Sequence, residues 1–137
     1  MYSIIAERIV YPLGDAVLHT SVMKYLASLE ESQWWPPDRL AELQNAKLRA
    51  LIEHACTQVP YYQRVFQERG LRARDIQTAD DLRKLPVLTK DLLRGSFQDL
   101  TARDYRRRRP FLDASSGSTG QPLRFYTTMD AFSMGWA

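Results

Sequence analysis

The sequence predicts an α+β chain: a mostly helical N-terminal segment followed by a β-hairpin that carries a phosphate-binding loop. Three observations lead there. Apolar residues recur at helical spacing in two long windows between Asp15 and Gln58. From Pro60 to Gly95, prolines, glycines and capping residues cut the chain into short helical pieces. Finally, two short apolar and aromatic runs, Phe111-Leu112 and Leu123-Arg-Phe-Tyr126, flank a stretch from Ala114 to Pro122 that holds only small, hydroxylated or turn-forming residues. The expected organisation is a helical segment over 1–109, then a hairpin, its loop and the start of a further helix over 110–137.

Composition sets the bounds. A chain of 137 residues with 45% hydrophobic and 11% aromatic residues has material for a core and is not a disordered polymer. Its net charge of +3 gives no general argument for a nucleic-acid partner. The single cysteine, Cys56, rules out an intramolecular disulfide framework and fits a reducing, cytoplasmic setting. The first apolar run, Ile4 to Leu13, is interrupted by Glu7, Arg8 and Pro12, which argues against a signal peptide. No stretch reaches the roughly 20 apolar residues that a membrane-spanning helix needs.

Taken in order, residues 1–13 read as a loose arm with a turn at Pro12-Leu-Gly14, and a helix is expected from Asp15 to about Ser32. Val17, Leu18, Val22, Tyr25, Leu26 and Leu29 would form its apolar stripe, and Trp34-Trp35-Pro36-Pro37 would end it. The paired tryptophans are read as anchoring a helix corner in the core rather than as a ligand platform. Asp38 is the expected N-cap of the longest helix, Arg39 to Gln58, with Leu40, Leu43, Ala46, Leu48, Leu51, Ile52 and Ala55 on its buried face. His54 and Cys56 have no motif partner nearby and read as structural. Pro60 stops this helix and opens the next, to about Glu68, with Gly70 as its C-terminal stop. Thr78-Ala-Asp-Asp81 is a capping-box variant that opens a short helix ending before Leu85-Pro86. Thr89 caps another, Lys90 to about Arg94, closed by Gly95. Arg103-Asp-Tyr-Arg-Arg-Arg-Arg-Pro110 is the one dense basic run; a solvated turn leading into the strand at Phe111 is the preferred reading over a nucleic-acid contact. Thr128 is a cap for a last helix through Asp130, Phe132 and Met134.

The chemistry lies between the two strands. Gly117 and Gly120 permit positive φ and close backbone approach, and Ser115, Ser116, Ser118 and Thr119 add hydroxyls to the loop amides. Such a nest suits a multiply charged phosphate. It is not a Walker A loop, which needs a lysine and an immediate helix where this chain has Gln121-Pro122. By composition alone the run is an ordinary flexible turn; the order of its residues argues otherwise.

Ser116-Gly-Ser-Thr-Gly-Gln-Pro122 resembles the phosphate-loop signature of the adenylate-forming acyl-CoA ligase superfamily. Gln121 stands where many members carry lysine, and Arg124 is the candidate substitute for that charge. Further motifs, Gln44-Asn-Ala-Lys-Leu48 with His54-Ala55, Val59-Pro-Tyr-Tyr62 and Leu82-Arg-Lys-Leu-Pro-Val-Leu-Thr-Lys90, resemble the N-terminal part of the phenylacetate–CoA ligase family, including its capsular polysaccharide biosynthesis relatives.

The resemblance implies an ATP-dependent, AMP-forming ligase that converts a small-molecule carboxylate to an acyl-adenylate and then a CoA thioester. ATP, Mg²⁺ and CoA are the implied cofactors, and Ser116, Gly117, Ser118, Thr119 and Gly120 the implied ATP-phosphate residues; no catalytic or metal-ligating residue is assigned. It also implies that the chain is a truncated part of the larger α/β adenylate-forming fold, inactive alone; because two strands alone are marginally stable, either self-association through the exposed hairpin or disorder beyond about residue 110 is expected. A non-catalytic protein-interaction or nucleotide-binding module is the alternative reading.

Overall fold

The structure, a computed structural model, describes residues 9–116 and 122–136. Its elements are α1 (Tyr11–Leu18), α2 (Val22–Ser32), α3 (Pro37–Gln58), α4 (Pro60–Glu68), 3-10 turns at Ala73–Asp75 and Ala79–Lys84, α5 (Lys90–Gly95), a 3-10 turn at Tyr105–Arg108, strands β1 (Phe111–Ala114) and β2 (Arg124–Thr127), and α6 (Met129–Trp136). The α+β expectation therefore holds, with one antiparallel hairpin of register Phe111↔Thr127 to Ala114↔Arg124.

The core sits where α3 and α4 meet. Pro60 begins α4 in the first helical turn, where a missing N–H costs nothing, and Gly70 follows with φ of 62°, the left-handed value glycine tolerates. This junction brings two clusters together: Ile52, Phe66 and the fully buried Ile76 in one, Val59, Tyr61 and Val65 in the other. Leu88, Leu92, Leu100 and Ala102 close over the second cluster, so the segment after α5 is bound to the helical core. Two backbone bonds fix it there: Tyr61 N–H donates to the Asp99 carbonyl at 2.9 Å and Arg103 N–H to the Gln58 carbonyl at 2.8 Å.

Several local expectations hold. Thr89 Oγ1 accepts from Leu92 N–H at 3.3 Å at the start of α5. The Asp81 carboxylate accepts from the backbone N–H groups of Gln77 and Thr78, each at 3.0 Å, although the element it caps is a 3-10 turn and not an α-helix. Thr128 Oγ1 accepts from Ala131 N–H at 3.2 Å and caps α6.

Others need correction. The single helix expected over 15–32 is two, broken by His19 at φ of 52°. The cause is Asp15, whose carboxylate accepts from Val22 N–H at 3.1 Å and Met23 N–H at 2.9 Å, and from the Thr20 hydroxyl. These bonds satisfy orphan donors at the start of α2, which favours the break. Pro12 and Gly14 lie inside α1 and not in a turn. Val17 and Leu18 point into solvent instead of forming a buried stripe. Helix α3 starts at Pro37 after Pro36, so Asp38 belongs to its first turn and is not its cap. On that helix Ile52 and Ala55 are buried, but Leu40, Ala46 and Leu51 are exposed. Trp34, expected in the core, is 82% exposed; Trp35 instead stacks under the Arg39 guanidinium, 3.5 Å from its ring centre.

The two ends of the described chain meet. Ser133 on α6 is completely buried: its hydroxyl donates to the Met129 carbonyl at 2.6 Å and its oxygen accepts from Ser21 N–H at 3.1 Å. Helix α6 is thereby seated against the start of α2.

These carboxylates make stability depend on acid. The Lys84 ammonium, then the Gln77 and Thr78 amides, hold Asp81 well below the usual carboxylate range. The Thr20 hydroxyl and the Met23 amide do the same for Asp15. Because both pKa values are depressed on folding, their contribution is present above the unfolded value of about 4 and is lost as pH falls through the folded values. The thermal midpoint should be flat from about pH 7 to 5 and fall below about pH 4. Asp81→Asn should remove part of that fall; an unchanged acid profile in this variant would refute the assignment.

Candidate functional site

The site is built on the hairpin. Ser115 N–H donates to the Leu123 carbonyl at 2.9 Å, and Leu123 N–H donates back to Ser115 Oγ at 3.0 Å. This reciprocal pair continues the ladder by one step with a side chain, and it closes the neck of the loop. Ser115 was expected to offer a hydroxyl to a ligand; its oxygen accepts the Leu123 amide, and its O–H proton has no acceptor among the described residues. Of the predicted phosphate residues, Ser116 is exposed just beyond this neck. Gly117, Ser118, Thr119 and Gly120, together with Gln121, lie outside the described residues. Arg124, the candidate substitute for lysine, is exposed at the first position of β2, opposite Ala114.

A cleft of about 470 Å³ lies between the hairpin and the helical core. Tyr62, Leu93, Phe97, Leu100, Tyr105 and Tyr126 form most of its apolar wall, and Arg108 and Arg124 reach its rim. Its size and apolar lining fit the usual range for small-molecule sites. Tyr126 is seated between two rings, 5.4 Å from Phe97 and 5.0 Å from Tyr105, and Arg106 Nε donates to the Tyr105 hydroxyl at 3.0 Å.

His54 reaches this cleft from α3 and has a partner that its sequence neighbourhood did not reveal. Its Nε2–H faces both carboxylate oxygens of Asp104, at 3.1 and 3.2 Å, across 50 residues of sequence. Arg108 approaches the same carboxylate at 3.5 Å. Burial pushes Asp104 upward, but the His54 hydrogen bond and the charges of His54 and Arg108 outweigh it and leave the group below the usual range. The triad reads as a tie between α3 and the basic turn, which agrees with a structural role for His54. The sequence signal was the lone acid in a run of five arginines, Arg103 and Arg106 to Arg109. Burial, and then the nearby Glu53 charge, push the Cys56 thiol up, which makes it a poor nucleophile. The basic run itself is a solvated 3-10 turn, with Arg109 at φ of 48° leading into β1 through Pro110.

Among the described residues no cluster of three metal-binding side chains exists, and no helix is long and apolar enough to cross a membrane.

No family model matches the chain. It is similar to the phenylacetate-coenzyme A ligase of Escherichia coli (strain K12), 36% identical over 85 residues, which are 62% of this chain and 20% of that enzyme. The phenylacetate-coenzyme A ligase of Aromatoleum evansii is 33% identical over 85 residues, 62% of this chain and 19% of the enzyme. That of Thermus thermophilus is 29% identical over 92 residues, 67% and 21% respectively. The matched segment is thus about a fifth of these ligases' length. Over that segment, which takes up most of its residues, this chain is similar to phenylacetate–coenzyme A ligases.

Proposed function

We propose that this chain is the N-terminal, phosphate-loop portion of an ATP-dependent, AMP-forming carboxylate–CoA ligase-like protein. The observation that carries the reading is the hairpin neck, where Ser115 is tied to Leu123 next in sequence to the Ser116–Gly120 run, in a chain similar to CoA ligases. In this reading the loop amides and the hydroxyls of Ser116, Ser118 and Thr119 hold the phosphates of ATP, with Mg²⁺ entering alongside them. ATP would supply its adenylyl group to the carboxylate, with pyrophosphate leaving; the chain's own part is to orient the phosphates and offset their charge. Three features favour the fit. Ser115 Oγ donates to no partner among the described residues, Ser116 is exposed, and Arg124 has no ion-pair partner among the described residues. The short span relative to the ligases supports a further part of the proposal: alone, these 137 residues bind nucleotide without completing adenylate formation.

Titration of the chain with Mg-ATP, followed by amide chemical shifts, tests this. The Ser118→Ala/Thr119→Ala variant should bind about 100-fold or more weakly, for the loss of two hydrogen bonds to a charged group at about 1.5–3 kcal/mol each. Equal affinity in wild type and variant would remove the loop from the site. Carboxylate-dependent ATP–pyrophosphate exchange by the chain alone would overturn the claim that it does not complete the reaction.

A further inference from the structure

We propose that Tyr126 is a positioning residue for the Ser/Thr/Gly loop, fixing the loop's neck to the helical core through an aromatic clamp. The inference deepens the reading above and depends on it only for what the loop binds.

A two-stranded hairpin is marginally stable by itself, so its attitude is set by what it rests on. Paired residues of an antiparallel ladder share a face. Leu112, Ala114, Arg124 and Tyr126 therefore lie on one side, and Phe111, Asp113, Phe125 and Thr127 on the other. The second side meets α6 through an edge-on contact of Phe111 with Phe132 at 6.4 Å. The first meets the segment 97–105 through Tyr126, whose ring sits between Phe97 and Tyr105.

That segment is itself held firmly. Asp99 and Arg103 are bonded to the α3–α4 junction through the backbone, Arg64 pairs with the Asp99 carboxylate at 3.1 Å, and Asp104 is tied to His54. Arg106 steadies the Tyr105 ring through its hydroxyl. The path from core to loop thus runs from His54 to Asp104, along the turn to Tyr105, across to Tyr126, and three residues back along the chain to Leu123 and its bonds with Ser115. At about 3.3 Å per extended residue, Tyr126 acts roughly 10 Å from the neck. A small tilt of the hairpin about that anchor carries directly into the neck formed by Ser115 and Leu123.

The experiment uses the full chain and two readouts: hydrogen exchange at the neck amides of Ser115 and Leu123 against the core amides of Ile52 and Phe66, and affinity for Mg-ATP. Tyr126→Ala should speed exchange at the neck by about 10-fold or more, since two ring contacts are lost, and leave core exchange unchanged. It should weaken Mg-ATP binding by a similar factor. Tyr126→Phe, which keeps the ring, should restore both. Tyr105→Leu, which removes the opposing ring, should reproduce the alanine effect. The proposal is overturned if neck exchange is unchanged in Tyr126→Ala, or if Phe behaves like Ala. It is also overturned if both ring deletions raise core exchange as much as neck exchange, since Tyr126 is then a plain core residue. A wild type that takes up no Mg-ATP, but whose neck still responds to Tyr126→Ala, would end the phosphate reading and leave the clamp standing.

Discussion

Phe66→Ala is expected to cost about 3–5 kcal/mol, the range for removing a buried phenylalanine. The residue is 4% exposed and clusters with Ile52 and Ile76, and Leu48, Tyr62, Leu71 and Leu85 pack against that cluster. Little in that shell can collapse inward, because the partners are fixed by α3, α4 and two 3-10 turns. Domains hold only about 5–15 kcal/mol in total, so the variant should lose a large share of its stability and melt roughly 10–25 °C lower. Leu51→Ala is the control: Leu51 is one residue from Ile52 but 63% exposed, and its loss should stay within about 0.5 kcal/mol. Urea unfolding of the two variants checks this. Equal midpoints would mean that the core does not lie at the α3–α4 junction.

Ser133→Ala is expected to cost about 1–3 kcal/mol, far more than a surface serine would. The hydroxyl is fully buried and bridges the Met129 carbonyl and the Ser21 amide. Alanine leaves the partly buried Ser21 N–H, at the mouth of α2, without its acceptor. The loss should be local: hydrogen exchange of the α2 amides should accelerate while Ile76 keeps its protection. Protection of α2 equal to that of the wild type would show that the contact contributes nothing.

The elements that could be read from the sequence are those whose signals are local. Pro60 with Gly70, Thr78 with Asp81, Thr89 ahead of Lys90 and the two runs around Ala114–Pro122 each state their structure within a few residues. The misses share a different cause. His19 breaks the first helix because Asp15 reaches seven and eight residues forward to the amides of Val22 and Met23, a competition that periodicity cannot register. Adjacent tryptophans point in different directions, so one of them, Trp34, was left to solvent and Trp35 took the contact with Arg39. The apolar stripe of α3 was correctly spaced, but only its C-terminal part has the α4 layer to pack against. At the candidate site, the two flanking strands were legible, whereas the His54–Asp104 tie and the Tyr126 clamp join residues separated by 50 and by 21 or more positions.

The meeting of Ser21 with Ser133 also bears on the order in which the chain assembles. The two residues are 112 positions apart, and closing so long a loop costs roughly 4 kcal/mol of chain entropy beyond a constant. The α3–α4 hairpin and the short capped turns demand only brief loops and are positioned to form early. The α2–α6 seam then closes last on the way to the native state and opens first when thermal fluctuations loosen it. In such an excursion both ends of the chain peel away together while the Ile76 centre stays intact. The described ends should therefore behave as one cooperative unit, although nearly the whole sequence separates them.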